Sequence, residues 1–378
     1  MLDCHEFYTL LAEQHLTYFC GVPDSTFKDW MTYLDDQHGR GLTNRIVAIE
    51  RDAIGYAAGY YLASGRIGVV YLQNSGLGNI VNPLTSLADE QVCRIPILLL
   101  IGWRGEPGRK DEPQHSKMGQ ITVPLLDILG IRHAILPVKL SEVKQVLAEA
   151  CYYLASMCGI FALLVCEGTF KPYPSSKRAA DKTSFMSREE ALVLIAKRLG
   201  PEVLIISTTG KTSRELFEYR TVQQQDHQSD FLMVGAMGLA SSLAAEVALQ
   251  HPQERIIILD GDAAALMSAG NLATIGYYAP SNLYHIIFDN GCHESTGGQP
   301  STSQIVSWEK LALANAYKGV LAVETREALE AQLDYWLEQT GPRMLVVKVR
   351  KGSRQDLGRP TTSPVENRNA FMKRLGIT

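Results

Sequence analysis

Short aliphatic and β-branched runs alternate along this chain with longer stretches whose apolar residues recur at helical spacing. In the first half the runs are RIVAI (45–49), IGVVYL (67–72), PILLLIG (96–102) and IFALLVC (160–166). Brief apolar runs without polar alternation predict strands buried on both faces, and the amphipathic stretches between them predict crossover helices. After residue 186 the alternation restarts with a helix over 187–199, the strand EVLIIS (202–207) and a helix over 213–220. The strands IIILDG (256–261), LYHIIFDN (283–290) and RMLVVKV (343–349) follow. Repeated strand–helix–strand units build parallel sheets. The expected fold class is α/β, with two domains, each a mainly parallel sheet flanked by helices.

The break between them is compositional. GTFKPYPSSKRAADKTSFMSRE (168–189) has no apolar period and is rich in Pro, Ser and Lys, which predicts a linker over 171–186 between domains 1–170 and 187–378. A chain of 378 residues also exceeds one typical core. The halves close alike, on GIFALLVCEGTFK and GPRMLVVKVRKGS, as the last strands of two similar sheets would.

Bulk properties narrow the function. Hydrophobic content of 46% with 20% charged residues describes a soluble globular protein. A formal charge of −4 without a long basic run argues against nucleic acid as partner. No apolar stretch reaches membrane-spanning length. The opening MLDCHEFYTLLAEQ has no basic region and reads as an amphipathic helix, not an export signal. Seven cysteines without a CxxC pair fit reduced thiols and a cytoplasmic enzyme.

Two stretches carry candidate chemistry. IISTTGKTSRE (205–215) resembles the end of a phosphate-binding P-loop, but the glycine required five positions before Gly210 is Ile205, inside a strand. What survives is a strand, a small-residue turn and a helix start able to hold an anion, or an ordinary capped turn. The second stretch runs from the strand end Gly261-Asp262-Ala263 to the strand end Asn290-Gly291. Adjacent parallel strands joined by one helix would set the carboxylate and the amide oxygen side by side, hard donors suited to magnesium on a diphosphate. The small residues Ala263 and Ala264 would let phosphate oxygens approach. Asp and Asn at strand ends are also common turn formers.

This second stretch resembles the cofactor motif of the thiamine diphosphate-dependent decarboxylase family, Gly-Asp-Gly followed by Asn. The resemblance implies thiamine diphosphate and Mg2+ as cofactors, with Asp262, Asn290 and the carbonyl of Cys292 as metal ligands. Ala263 replaces the second glycine of the motif and is tolerable only at negative φ. VAIERDAIGYAAGYYLASG (47–65) resembles the stretch carrying the activating glutamate, Glu50, whose burial after an apolar strand would raise its pKa. MVGAMGLASS (233–242) resembles the segment under the thiazolium, with Met237 as the wedge and Gly235 accepting from the pyrimidine; read alone, Met237 is core packing. Thr209, Gly210 and Gly261 complete the cofactor turns.

Long stretches in both halves, among them GVPDSTFKDW (21–30) and LLLIGWRGEPGRKDEPQHSKMG (98–119), resemble the compact branch acting on phosphonopyruvate, with the sulfopyruvate branch near it. The implied activity is non-oxidative decarboxylation of a small anionic 2-oxo acid by a homo-oligomer with active sites at its interfaces. The alternatives are another 2-oxo acid decarboxylase or a non-catalytic, cofactor-binding regulatory subunit. Asp24 and His115 match positions that handle protons. Ser25, Asn74, Ser75, Arg104, Arg109 and Lys211 are candidates for substrate binding. Arg104, Arg109, Lys110, His115 and Lys117 lie in a Gly/Pro-rich loop that could close over an anion. Glu106, Asp111 and Glu112 nearly balance those cations, as in a plain solvated loop.

Overall fold

The aliphatic runs become strands. A computed structural model of the chain describes residues 1–175 and 184–377. It divides into two units, Met1–Ala179 with His293–Pro300, and Ala180–Cys292 with Ser301–Thr378. The first unit thus takes in a segment that the sequence assigns to the 187–378 domain. Of the expected linker 171–186, residues 176–183 lie outside the described residues. Its near end is tied to the first unit by Lys171 N–H on Leu2 O and Tyr173 N–H on Asp29. Its far end is tied to the second by Arg350 N–H on Met186 O.

The first unit holds β1 (Tyr18–Gly21), β2 (Thr43–Ile46), β3 (Gly68–Gln73), β4 (Ile97–Gly102), β5 (Arg132–Ile135) and β6 (Ile160–Val165). They form one sheet in the order β2-β1-β3-β4-β6-β5, and every pairing is parallel. The second sheet is built from β7 (Leu204–Ser207), β8 (Asp230–Leu232), β9 (Ile256–Gly261) and β10 (Leu283–Asp289). Two short strands, β11 (Cys292–His293) and β12 (Gln299–Pro300), pair with each other. Then β13 (Gly319–Val323) and β14 (Arg343–Lys348) complete the second sheet, β13-β14-β10-β9-β7-β8, again all parallel. Read from its own first strand, the second sheet repeats the strand order of the first. The similar endings noticed in the sequence are therefore equivalent strands, β6 and β14.

Side-chain alternation explains why these runs must be central strands. Ile257 and Leu259 of β9 enter one core with Ile205, Ile286 and Leu345. Ile256 and Ile258 point to the opposite core with Leu204, Ile206, Ile287 and Met344. A strand buried on both faces has no polar position to spare, hence the unbroken apolar run. In each sheet the second strand lies on one side of the first and the third on the other. The order reverses between β1 and β3, and between β7 and β9. Parallel α/β sheets bind ligands at the carboxyl ends of strands at such reversals.

One expected boundary moves. RIVAI was expected to be strand through residue 49, but β2 stops at Ile46, and the helix Glu50–Ser64 begins at residue 50. Val47 N–H still bonds Gly21 O, the last sheet contact before the chain turns out. The helix ends at Gly65, whose φ of 68° supplies the left-handed cap that a side chain would strain.

Candidate functional site

In the first unit, the reversal between β1 and β3 is occupied by a polar group built on three strand ends. Asp24, just after β1, is 1% exposed, and its Oδ1 accepts from Gln73 Nε2 at the end of β3 at 2.6 Å. Ser75 in turn donates to Gln73 Oε1 at 2.8 Å. Asp24 Oδ2, without a hydrogen-bond partner among the described residues, presses on Gly102 at the end of β4, where a Cβ would lie 1.7 Å from it. Burial pushes the Asp24 carboxyl above its usual range, opposed by the Gln73 bond.

Arg104 follows β4 and is held on three sides. Its Nε donates to Asp111 Oδ2 at 2.8 Å, a terminal nitrogen reaches Asp111 Oδ1 at 2.5 Å, and the other donates to Ser25 Oγ at 3.1 Å. Asp111 also accepts from Gly105 N–H at 2.8 Å, so this carboxylate closes the Gly105–Asp111 loop and is held below its usual range chiefly by Arg104. His115 lies in the first turn of the helix Pro113–Ile128; burial, then Arg104, hold its imidazole below its ordinary 6.5. A solvent-open cavity of about 370 Å³ is lined by Gly105–Glu112, Ser116 and Gln120.

The residues expected at the substrate are held by partners of their own. Asn74 is fully buried, donates to Arg104 O at 2.8 Å and Thr122 Oγ1 at 2.9 Å, and accepts from Arg104 N–H at 3.2 Å. Its amide braces the loop from beneath. The Arg104 guanidinium is already matched by Asp111. Arg109 lies 3.0 Å from Glu106 and donates to Glu167 O at 3.0 Å. These loop cations are partnered within the unit, which neither of the two readings of the loop anticipated. Gln73 and Thr122 were not singled out in the sequence, because a strand-end Gln and a helical Thr carry no periodic or motif signal, and Asp111 was noted only as a balancing charge.

Glu50 is the first residue of its helix and only 6% exposed. Its Oε2 accepts from Asn79 Nδ2 at 2.7 Å. Gly76 gives it room, since a Cβ there would lie 2.6 Å from both Cγ and Oε1 of Glu50. A buried carboxylate at a helix start gains from the helix dipole, and one oxygen fixed by Asn79 leaves the other defined in direction.

In the second unit, the ends of β7, β9 and β10 converge. Gly210, with φ 97°, turns the chain after β7 into the helix Lys211–Val222, and the Ser213 hydroxyl donates to Thr208 O at 2.7 Å to pin that turn. Lys211 donates to Ser353 Oγ at 2.5 Å. Asp262 opens a short helix after Gly261 and is 3% exposed. Ala263 and Ala264 are helical, so Ala263 has the negative φ that its methyl group requires. The register pairs Gly261 with Phe288, which brings Asp262 and Asn290 out at neighbouring strand ends. Asn290 Oδ1 accepts from Cys292 N–H at 3.0 Å. Gly235 and Met237 lie between β8 and the next helix. Met237 is 38% exposed beside Ala236, whose φ of 52° is costly for a non-glycine. Core packing, the reading of Met237 taken alone, is therefore excluded.

The donor set suits a divalent cation shared with a ligand. Burial pushes the Asp262 carboxyl up to about 6, with Ser301 opposing and Asp289 reinforcing. A carboxylate so disfavoured as an anion gains strongly from a metal partner. Among the described residues no cluster of three or more His, Cys, Asp or Glu side chains could hold a metal. One carboxylate and one amide oxygen match the sparse protein set that magnesium uses when phosphates complete its shell.

Comparison with known proteins agrees with this geometry. Residues 5–123 match the model of the thiamine pyrophosphate enzyme N-terminal TPP binding domain, and residues 208–347 match that of the C-terminal TPP binding domain. The chain is 36% identical over 371 residues to a phosphonopyruvate decarboxylase of Streptomyces viridochromogenes, covering 94% of this chain and 90% of that protein. It is 35% identical over 386 residues to one of Streptomyces hygroscopicus, covering 98% and 93%. A sulfopyruvate decarboxylase of Methanosarcina acetivorans is 28% identical over 300 residues, covering 74% and 75%. The chain therefore belongs to the thiamine pyrophosphate enzyme family, and within it to the decarboxylases.

Proposed function

We propose that this protein decarboxylates 3-phosphonopyruvate to phosphonoacetaldehyde and carbon dioxide, using thiamine diphosphate and Mg2+. The observation that carries the substrate is the similarity to the two Streptomyces proteins along almost the whole chain. Similarity to the sulfopyruvate enzyme is weaker and shorter. Thiamine diphosphate supplies the electron sink for carbon–carbon cleavage.

The residues divide as follows in this reading. Asp262, Asn290 and the Cys292 carbonyl hold the metal, and Thr209, Gly210, Gly261, Ala263 and Ala264 cradle the diphosphate. Gly235 and Met237 seat the rings. Glu50 hydrogen-bonds the pyrimidine, fixed in direction by Asn79 and by the space over Gly76. Asp24 and His115 hold and move protons at the substrate carbon, and each has a charge state shifted by burial. Ser25, Ser75, Arg104, Arg109 and Lys211 remain the groups offered to a substrate that carries two anionic ends. Arg104 meets that anion only if its pairing with Asp111 is exchanged or shared. The chain acts as a homo-oligomer with active sites at subunit interfaces.

The test is phosphorus NMR of the protein incubated with phosphonopyruvate, thiamine diphosphate and magnesium. A growing phosphonoacetaldehyde resonance, with carbon dioxide released in equal amount, supports the reading. Faster release from sulfopyruvate reassigns the substrate, and no turnover of either favours a non-catalytic subunit.

A further inference from the structure

Asp262 does not stand alone at the end of β9. Its Oδ2 accepts a short hydrogen bond from the Ser301 hydroxyl, and Ser301 is 2.9 Å from Ser303. Ser303 donates to Asp289 Oδ1 at 2.9 Å, and Asp289 is the last residue of β10, immediately before Asn290. The other oxygen of Asp289 takes Trp308 Nε1 at 3.1 Å and Lys348 Nζ, from β14, at 2.5 Å. Gly291 N–H closes back on Asp289 Oδ1 at 3.1 Å. Ser301 N–H meanwhile bonds Gly291 O at 3.0 Å, and Gln304 donates to the same carbonyl at 3.1 Å. Ser301, Ser303, Asp262 and Asp289 are each at most 4% exposed.

The geometry points to Ser301, bonded to Asp262, and Ser303, bonded to Asp289, as positioning residues that fix the carboxylate of Asp262 and the Asn290–Cys292 turn in the arrangement that binds the divalent cation. The chemistry is directional. A carboxylate on a short side chain can rotate. The Ser301 hydroxyl bonds to one oxygen of the carboxylate and restricts that rotation. Asp289 cannot serve as a further ligand while its two oxygens take four donors. Its charge is matched by Lys348, so it serves as the post to which both strand ends and the following loop are tied. Outer-shell hydrogen bonds of this kind commonly change metal affinity 10- to 100-fold.

The inference rests on the proposed metal site, and the experiment separates the two. Binding of Mn2+ in the presence of thiamine diphosphate is followed by electron paramagnetic resonance, without substrate, for the natural protein, Ser301→Ala, Ser301→Thr and Ser303→Ala. The expected result is Mn2+ affinity roughly 10-fold or more weaker for Ser301→Ala, partial recovery in Ser301→Thr, which keeps the hydroxyl, and a smaller loss in Ser303→Ala. Circular dichroism confirms the fold. Should Ser301→Ala not fold, the comparison of Ser303→Ala with the natural protein decides. Natural affinity in the folded alanine variants overturns the positioning role alone. A natural protein that takes up no Mn2+ overturns the metal site and the inference with it.

Discussion

Glu50 and Gly76 form a close pairing of single residues in the first unit. The sequence identified Glu50 through the stretch around it, yet nothing there marked Gly76, because the need for a missing side chain arises only when two distant segments fold together. Gly76→Ala would place its methyl group 2.6 Å from the Glu50 carboxylate at a backbone φ of −81° that alanine adopts freely. The expected cost is overpacking of about 1–3 kcal/mol, with a drop in turnover from the displaced carboxylate, measured by urea unfolding and steady-state rates. Glu50→Gln keeps the shape and the Asn79 contact but removes the acid. It is expected to lower turnover roughly 10²–10⁴-fold with an unchanged circular dichroism spectrum. Near-normal turnover would remove Glu50 from its proposed role.

Among elements, the strands with long apolar runs were legible, whereas the four-residue central strand β1 and the strands β5, β8 and β13 were not. β4 and β10 are buried at every position, so their apolar runs announce them. β5 and β13 expose or half-expose most of their residues, and β8 carries Asp230 in a buried ion pair with Arg220. Such strands are defined by pairing with a neighbour, which composition does not record. The loop after β4 illustrates the same limit. Its charges were visible, but their pairing within the loop, Arg104 on Asp111 and Arg109 on Glu106, depends on three dimensions. The helix that follows the loop, Pro113–Ile128, carries a pH dependence through His115. His115 is held below its ordinary 6.5 by burial and then by Arg104, with Asp111 opposing. The fold therefore favours the neutral imidazole. Its contribution is complete above 6.5, and it is lost as the pH falls below that value, because the unfolded chain takes up the proton first. His115→Gln is expected to lose less stability than the natural protein between neutral and mildly acidic pH, measured as urea midpoints. An identical pH slope would contradict this.

For the whole molecule, the shared strand order of the two sheets puts equivalent reversal points in both units, and the candidate residues gather at both. The alternation of runs predicted two parallel sheets, whereas their identical order was only hinted at by the similar last strands. A ligand that binds the folded form alone stabilises it by about 2.7 kcal/mol at a hundred times its dissociation constant. Thiamine diphosphate with magnesium is expected to raise the melting temperature, and ATP with magnesium to leave it unchanged, because Ile205 stands where a P-loop needs glycine. Light scattering is expected to give a dimer or a larger assembly, and a fully active monomer would contradict the interface sites.

The most direct measurement is a crystal structure grown with thiamine diphosphate and Mg2+. The metal is expected about 2.0–2.1 Å from oxygens of Asp262 and Asn290, and the Glu50 carboxyl is expected to be hydrogen-bonded to the pyrimidine ring. A diphosphate bound away from the ends of β7 and β9, or a pyrimidine that meets no Glu50 from any copy of the chain, would contradict it.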